Sequence, residues 1–215
     1  MGTIFSKENI KKYYNQEAGL RNSETVRTDW KAKVREQFCN VAKQEGKKTL
    51  LELGAGAGYD SQFFMGEGLS VIAVDLSGEM VKNCKAKGIE AYELDYYDLS
   101  SLNRRFDCVY AINTLLHVPK KELCHVLNEI SNVLGDEGLF YMGVYGGDDT
   151  ENEYIEDDVS DTPRFFAFYS EAYLKSSLAQ FFEILNFEQI NVGYDTVDIF
   201  YSIIMRKRQP GCTAV

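Results

Sequence analysis

A short apolar strand that runs straight into a run of glycines constrains this chain more than any other segment. Leu50-Leu51-Glu52-Leu53-Gly54-Ala55-Gly56-Ala57-Gly58 reads as a buried strand, a tight turn, and the entry to a helix near Tyr59. Glycine at 54 and 56 lets the backbone turn where a Cβ would obstruct it. It also leaves main-chain amides at the helix start open to polar ligand groups. A glycine pattern alone is weak evidence, but here two more elements follow in register. Val71-Ile72-Ala73-Val74-Asp75 ends in an acid 21 residues after Gly54, and Glu93-Leu94-Asp95 ends in another 20 residues further on. Acids at the ends of neighbouring strands place hydrogen-bond acceptors along the C-terminal edge of a parallel sheet, where open α/β folds bind ligands. Asp75 is positioned to accept from both hydroxyls of a ribose. The third glycine of a dinucleotide fingerprint would fall at position 59, which is Tyr59, so the turn reads G-x-G-x-G instead.

The rest of the chain fits that frame. Residues 6 to 45 carry helical spacing, broken at Asn22-Ser23 with Ser23 as an N-cap, and predict two N-terminal helices. After the glycine turn come a helix over Tyr59–Gly66, a strand Ser70–Val74, a helix Ser77–Lys87 and a strand Ile89–Leu94. A strand Phe106–Ile112, an amphipathic helix Lys120–Leu134 and a strand Gly138–Tyr145 continue the alternation. Such a pattern predicts a doubly wound, mostly parallel sheet. The end of the chain departs from it: helical Ser170–Ala179 is followed by two strands, Phe182–Val192 and Val197–Met205, joined at Gly193-Tyr194-Asp195 as a hairpin. A hairpin added to a parallel sheet makes one strand antiparallel.

Charge separates the function classes. The chain has 33 acids and 23 bases, net −10, and eight of the acids lie between Asp148 and Asp161 with no base among them. Setting those eight aside leaves 25 acids against 23 bases, so the acidity is a local graft on a near-neutral body. Without a basic surplus the chain lacks the counterion-release drive that dominates nucleic-acid affinity, and nucleic acid is disfavoured as a partner. Five cysteines, widely spaced and with no C-x-x-C pair, indicate neither a disulfide framework nor a zinc site. With two histidines in the chain, no metal site is expected. No apolar run reaches the ~20 residues needed to cross a bilayer and no apolar leader opens the sequence, so a cytoplasmic protein is expected.

On these residues the sequence resembles the class I S-adenosylmethionine-dependent methyltransferases. Glu52 to Gly58 is similar to their first motif and Val74-Asp75-Leu76-Ser77-Gly78-Glu79-Met80 to their second. Asp95-Tyr96-Tyr97-Asp98-Leu99 is similar to the segment flanking adenine, and Phe106 to Val118 to the fourth strand and its turn. The resemblance implies a Rossmann-like, seven-stranded sheet with a C-terminal antiparallel hairpin. It also implies S-adenosyl-L-methionine as cofactor and S-adenosyl-L-homocysteine as product. Carried onto this chain, it sets Gly54, Ala55 and Gly56 under the methionine part, with Glu52 reaching the amino group through water. Asp75 would hold the ribose, Leu76 and Met80 flank the adenine, and Asp95 and the Tyr96 amide bind its edge. Asn113 and Thr114 would face the methionine end, and Tyr14, Arg27 and Trp30 close over the cofactor, with Arg27 toward its carboxylate. The expected organisation is a helical cap over 1–46, a methyltransferase domain over 47–208 with an acidic lid and aromatic insertion at 146–170, and a flexible tail at 209–215.

The acceptor is less legible. Proximity and in-line alignment dominate transfer from an activated sulfonium, so a dedicated base is optional. His117 is the one weak catalytic candidate, and a structural histidine is the plainer reading. Tyr145, Arg164, Phe166 and Tyr169, with His117, are the expected substrate-facing residues. An acidic rim would favour a small acceptor that is neutral or cationic. Alternatives remain: a cofactor-binding but non-catalytic regulator, or a tRNA or protein methyltransferase that would lack the usual basic surface. A nicotinamide-dependent oxidoreductase is disfavoured by the glycine spacing and the hairpin. Oligomeric state is not encoded legibly.

Overall fold

The computed structural model describes residues 5–23, 29–156, 160–194 and 197–209. Among them the order is α1 (Lys7–Ser23), α2 (Asp29–Gln44), β1 (Thr49–Leu53), α3 (Tyr59–Gly66), β2 (Ser70–Asp75), α4 (Gly78–Ala86) and β3 (Glu90–Glu93). A 3-10 helix (Tyr96–Leu102), β4 (Phe106–Ile112), a 3-10 turn (Leu115–His117), α5 (Lys120–Val133) and β5 (Leu134–Tyr145) follow. The chain closes with β6 (Glu151–Glu156), β7 (Ser160–Ala167), α6 (Glu171–Leu178), β8 (Phe182–Tyr194) and β9 (Val197–Lys207).

Seven strands form one sheet in the order β3-β2-β1-β4-β5-β9-β8. The first five pair in parallel, and β9 runs antiparallel to both β5 and β8. The sheet is the Rossmann-like arrangement expected from the sequence, with its C-terminal hairpin in place. The strands are apolar on both faces because both are covered. Leu50, Val71, Cys108, Tyr110 and Tyr141 pack on one side with Val34, Phe38 and Ala42 of α2 and Phe64 of α3. Leu51, Leu53, Ile72, Val74, Val109 and Ala111 pack on the other with Leu123, Val126, Leu127, Ile130 and Val133 of α5. The spacing of those five α5 residues is one helical stripe.

Three local details bear on the expectations. Ser23 does not cap the second helix: it is the last residue of α1, and its hydroxyl donates to the Leu20 carbonyl at 2.7 Å. α2 packs on the sheet through the buried Val34, Phe38, Cys39 and Ala42, and from its first turn Lys31 reaches the cavity described below. The acidic stretch, expected as a lid, is largely a two-stranded hairpin, β6 with β7, packed beneath α1. The aromatic spacing Phe166, Phe168 and Tyr154 gives that hairpin a face of its own, with Tyr154 5.4 Å from Phe166. No helix among the described residues is long and apolar enough to cross a membrane.

Candidate active site

The C-terminal ends of β1, β2 and β4 and the underside of α1 enclose a cavity of about 280 Å³. Its floor is the glycine turn. Gly54, Gly56 and Gly58 all have positive φ (63°, 55° and 82°), the left-handed region that side chains disfavour. At Gly54 a Cβ would also lie 2.2 Å from Thr114 Oγ1, whereas at Gly56 it would meet nothing within 4 Å. Gly54 is therefore fixed by packing of β1 against the β4 turn, and Gly56 presents bare backbone to the cavity.

Asp75 anchors the turn from the end of β2. One carboxylate oxygen accepts from the Gly56 amide at 2.8 Å, the other from the Ser77 amide at 2.8 Å. Burial raises its carboxyl above the usual range, and the two amide bonds counteract this. Ser77 in turn caps α4 by accepting from the Met80 amide. Leu76, Met80, Ala55 and Tyr96 line the same cavity, and so do Asn113 and Thr114 beyond β4. Asn113 holds a positive φ of 51°, stabilised by its amide donating to the Gly143 carbonyl at 2.9 Å. Its side-chain Oδ1 is buried without a hydrogen-bond partner among the described residues. A buried acceptor with no partner is costly unless a ligand satisfies it.

Three expected cofactor residues stand outside the cavity lining. Glu52 is 2% exposed behind the turn, where the Ser61 hydroxyl donates to it, and it does not line the cavity. Asp95 caps the 3-10 helix through the Tyr97 amide and is taken by Lys7 Nζ at 2.7 Å. Trp30 packs on Phe200 with ring centres 4.5 Å apart, on the β9 side. Arg27 lies outside the described residues.

α1 delivers the cavity roof. It is tied down by Asn15, which accepts from the Ser77 hydroxyl at 2.6 Å, and by Asn83, which donates to the Ala18 carbonyl at 2.9 Å. On its underside Tyr14 meets His117 Nε2 at 2.7 Å. His117 Nδ1 lies 2.7 Å from the Phe165 carbonyl. A carbonyl only accepts, so Nδ1 carries the proton and Nε2 is the bare nitrogen that receives the Tyr14 hydroxyl. Burial holds the His117 pKa down to about 3, and the nearby Arg164 and Arg21 cations add to that effect. Burial likewise raises the Tyr14 hydroxyl, against the pull of Arg21 and Arg164.

The other expected substrate residues divide. Tyr169 is fully buried and its hydroxyl donates to the Leu115 and Val118 carbonyls, so it clamps the turn that carries His117 rather than touching the cavity. Phe166 packs on the His117 ring at 4.8 Å, Tyr145 on Phe200 at 5.7 Å, and the Arg164 guanidinium on Tyr13 at 3.9 Å. None of these four lines the cavity. Two acids of the expected rim are structural: Glu151 accepts from the Lys120 amide at the start of α5, and Asp149 from the Ser170 amide before α6. Arg21, Lys31, Tyr59 and Asp60 line the cavity without having been anticipated. Tyr14, Glu17 and Arg21 recur at helical spacing on one face of α1, which was the available signal for Arg21.

Comparisons with known proteins bear on the fold. A family described as a methyltransferase domain matches residues 50–138. The fold resembles that of Burkholderia thailandensis 1,6-didemethyltoxoflavin-N1-methyltransferase, solved with S-adenosylhomocysteine. That likeness has a TM-score of 0.69 and 19% identity over 94% of this chain and 87% of that one. The DhpI–SAH complex gives a TM-score of 0.74 and 20% identity over 94% and 96% of the two chains. Magnesium protoporphyrin IX methyltransferase from Synechocystis PCC 6803 gives 0.70 and 13% over 97% and 100%. No curated protein matches the sequence. Residues 50–138 thus match a methyltransferase domain, and the sheet order is that of the fold shared with these solved methyltransferases.

Proposed function

We propose that the protein binds S-adenosyl-L-methionine across the glycine turn and transfers its methyl group to a small, neutral acceptor, leaving S-adenosyl-L-homocysteine. The observation that carries this is the Asp75 carboxylate, set in the cavity wall with both oxygens tied to the backbone of the turn and of α4. Each oxygen keeps a further lone pair, which suits it to two ribose hydroxyls. The residues present fit the cofactor: Gly56 has room where a side chain would intrude, and Asn113 Oδ1 awaits a donor. Leu76 and Met80 supply apolar flanks for a purine, and the Tyr96 amide a bond to its edge. Asp95 would reach the exocyclic amine once Lys7 lets go. The bound cofactor supplies a methyl already activated on a sulfonium, so the chain's task is to orient it, exclude water and align the acceptor.

Neutrality of the acceptor is favoured over cationic character by Arg21, which lines the cavity, and Arg164, which hydrogen-bonds Tyr14. The structural neighbours named for toxoflavin and protoporphyrin substrates act on small molecules and support a small-molecule acceptor. Calorimetric titration tests the reading: S-adenosylhomocysteine should bind and NAD should not bind comparably. Absence of binding by either adenosyl ligand at millimolar concentration would refute it.

A further inference from the structure

The hydrogen-bond polarity around Tyr14 is fixed from outside the cavity. The Phe165 carbonyl commits His117 Nδ1 as donor, so Nε2 accepts and Tyr14 donates to it at 2.7 Å. The Arg164 side chain hydrogen-bonds the Tyr14 oxygen from β7, and Arg21, on the same helix, stands 5.1 Å from its ring. Glu17 holds Arg21 and also accepts from the Tyr13 hydroxyl at 2.9 Å, so the α1 carboxylate that faces this group is occupied. The Tyr14 oxygen thus keeps one lone pair for the cavity it lines. Its own proton is already directed at a bare imidazole nitrogen.

We propose that Tyr14 and His117 form a proton relay for an acceptor whose nucleophile is a neutral hydroxyl, a reading that rests on the methyl-transfer function above. The nucleophile's oxygen lone pair forms the new O–C bond as the S–C bond breaks and its pair stays on sulfur. The hydroxyl proton passes to the Tyr14 oxygen, the Tyr14 proton passes to His117 Nε2, and the imidazolium returns it to water after product leaves. Charge is conserved in the site, because the cation lost at sulfur reappears on the imidazole. With Arg164 and Arg21 close by, His117 stays neutral while the sulfonium is present. It gains basicity when that charge is discharged, and a hydroxyl oxygen becomes a strong acid as it acquires the methyl group. A relay ending on a weak base suits that nucleophile, whereas a nucleophile that is already ionised needs no relay. Tyr14 is the catalytic residue here. His117 acts through it.

Two measurements test this. In the ligand-free protein, nitrogen NMR between about pH 5 and 8 should show His117 Nε2 unprotonated, with its resonance moving in Tyr14→Phe; a protonated Nε2 overturns the relay. With S-adenosylmethionine present, phenol and thiophenol serve as paired probes near pH 8, where the first is neutral and the second ionised. Tyr14→Phe and His117→Gln should each lower the ratio of phenol to thiophenol methylation by about 100-fold. An unchanged ratio in folded variants that bind S-adenosylhomocysteine, or no transfer to phenol by the parent protein, overturns the relay. Loss of S-adenosylhomocysteine binding by the parent protein would instead strike the function on which the relay rests.

Discussion

His117 makes the fold acid-sensitive by an amount that can be worked out from its surroundings. Folded, the imidazole is held neutral with a pKa near 3; unfolded, it titrates at about 6.5. Between those values the unfolded chain binds the extra proton, so stability is fully present above about pH 6.5 and is lost as pH falls toward 3. Moving from about pH 7.5 to pH 5 therefore costs about 2 kcal/mol through this one group. For a domain of this size that is a fall in Tm of roughly 4–8 °C. Carboxylates also titrate in this window, so the informative quantity is the difference between the parent and His117→Gln. Glutamine keeps a donor for the Phe165 carbonyl and an acceptor for Tyr14 but cannot take the proton. Scanning calorimetry of both proteins across the range should show the parent losing that additional 4–8 °C. Parallel curves would mean that His117 is not buried neutral, and the hydrogen-bond polarity deduced for Tyr14 would fall with it.

Four further outcomes follow from the same geometry. Asp75→Ala should weaken S-adenosylhomocysteine binding by about 1–3 kcal/mol, the scale for losing a charged hydrogen-bond partner, as read by calorimetric titration. Gly54→Ala should lower Tm well below Gly56→Ala, since both strain a positive φ but only the former drives a Cβ into Thr114. Lys7→Met should tighten S-adenosylhomocysteine binding a few-fold by releasing Asp95, an effect that high salt should reproduce in the parent. Asp149→Asn should cost about 1 kcal/mol of stability in denaturant titration, because it serves the Ser170 amide and Lys120, whereas exposed Asp161→Asn should cost nothing measurable.

Much of this was readable in the sequence because period and punctuation agreed. The apolar run Leu50–Leu53 could only be a strand covered on both faces, and three positive-φ glycines after it could only be a turn. Asp75, at the end of β2, was visible for the same reason. The misses share a different cause: they depend on partners distant in sequence. Asp95 looked available until Lys7, 88 residues away, was found on it. Trp30 looked like a lid residue, yet α2 turns it toward Phe200. The acidic segment hid a hairpin because Glu151, Glu153 and Asp161 are poor strand formers; pairing with the Thr162–Ala167 segment and packing under α1 override their preference. His117 could not be assigned a tautomer without Phe165, which lies 48 residues later.

The strand order of the sheet also dictates when its edges close as the chain is made. β3, β2, β1 and β4 are complete once Ile112 has been synthesised, and every cavity-lining residue lies between Ile10 and His117. The outer edge of β4 then stays unpaired until Tyr145 completes β5, another 33 residues, or roughly 2–7 s at ordinary rates of synthesis. β5 in its turn waits for β9, the last strand, while β8 is made earlier yet sits outside β9. β8 therefore has no place on the sheet by itself, and the two must dock as a preformed hairpin. The ligand-binding half of the protein is thus the first to be built and the longest exposed, which makes the β4 and β5 edges the points where a nascent chain would stick to its neighbours.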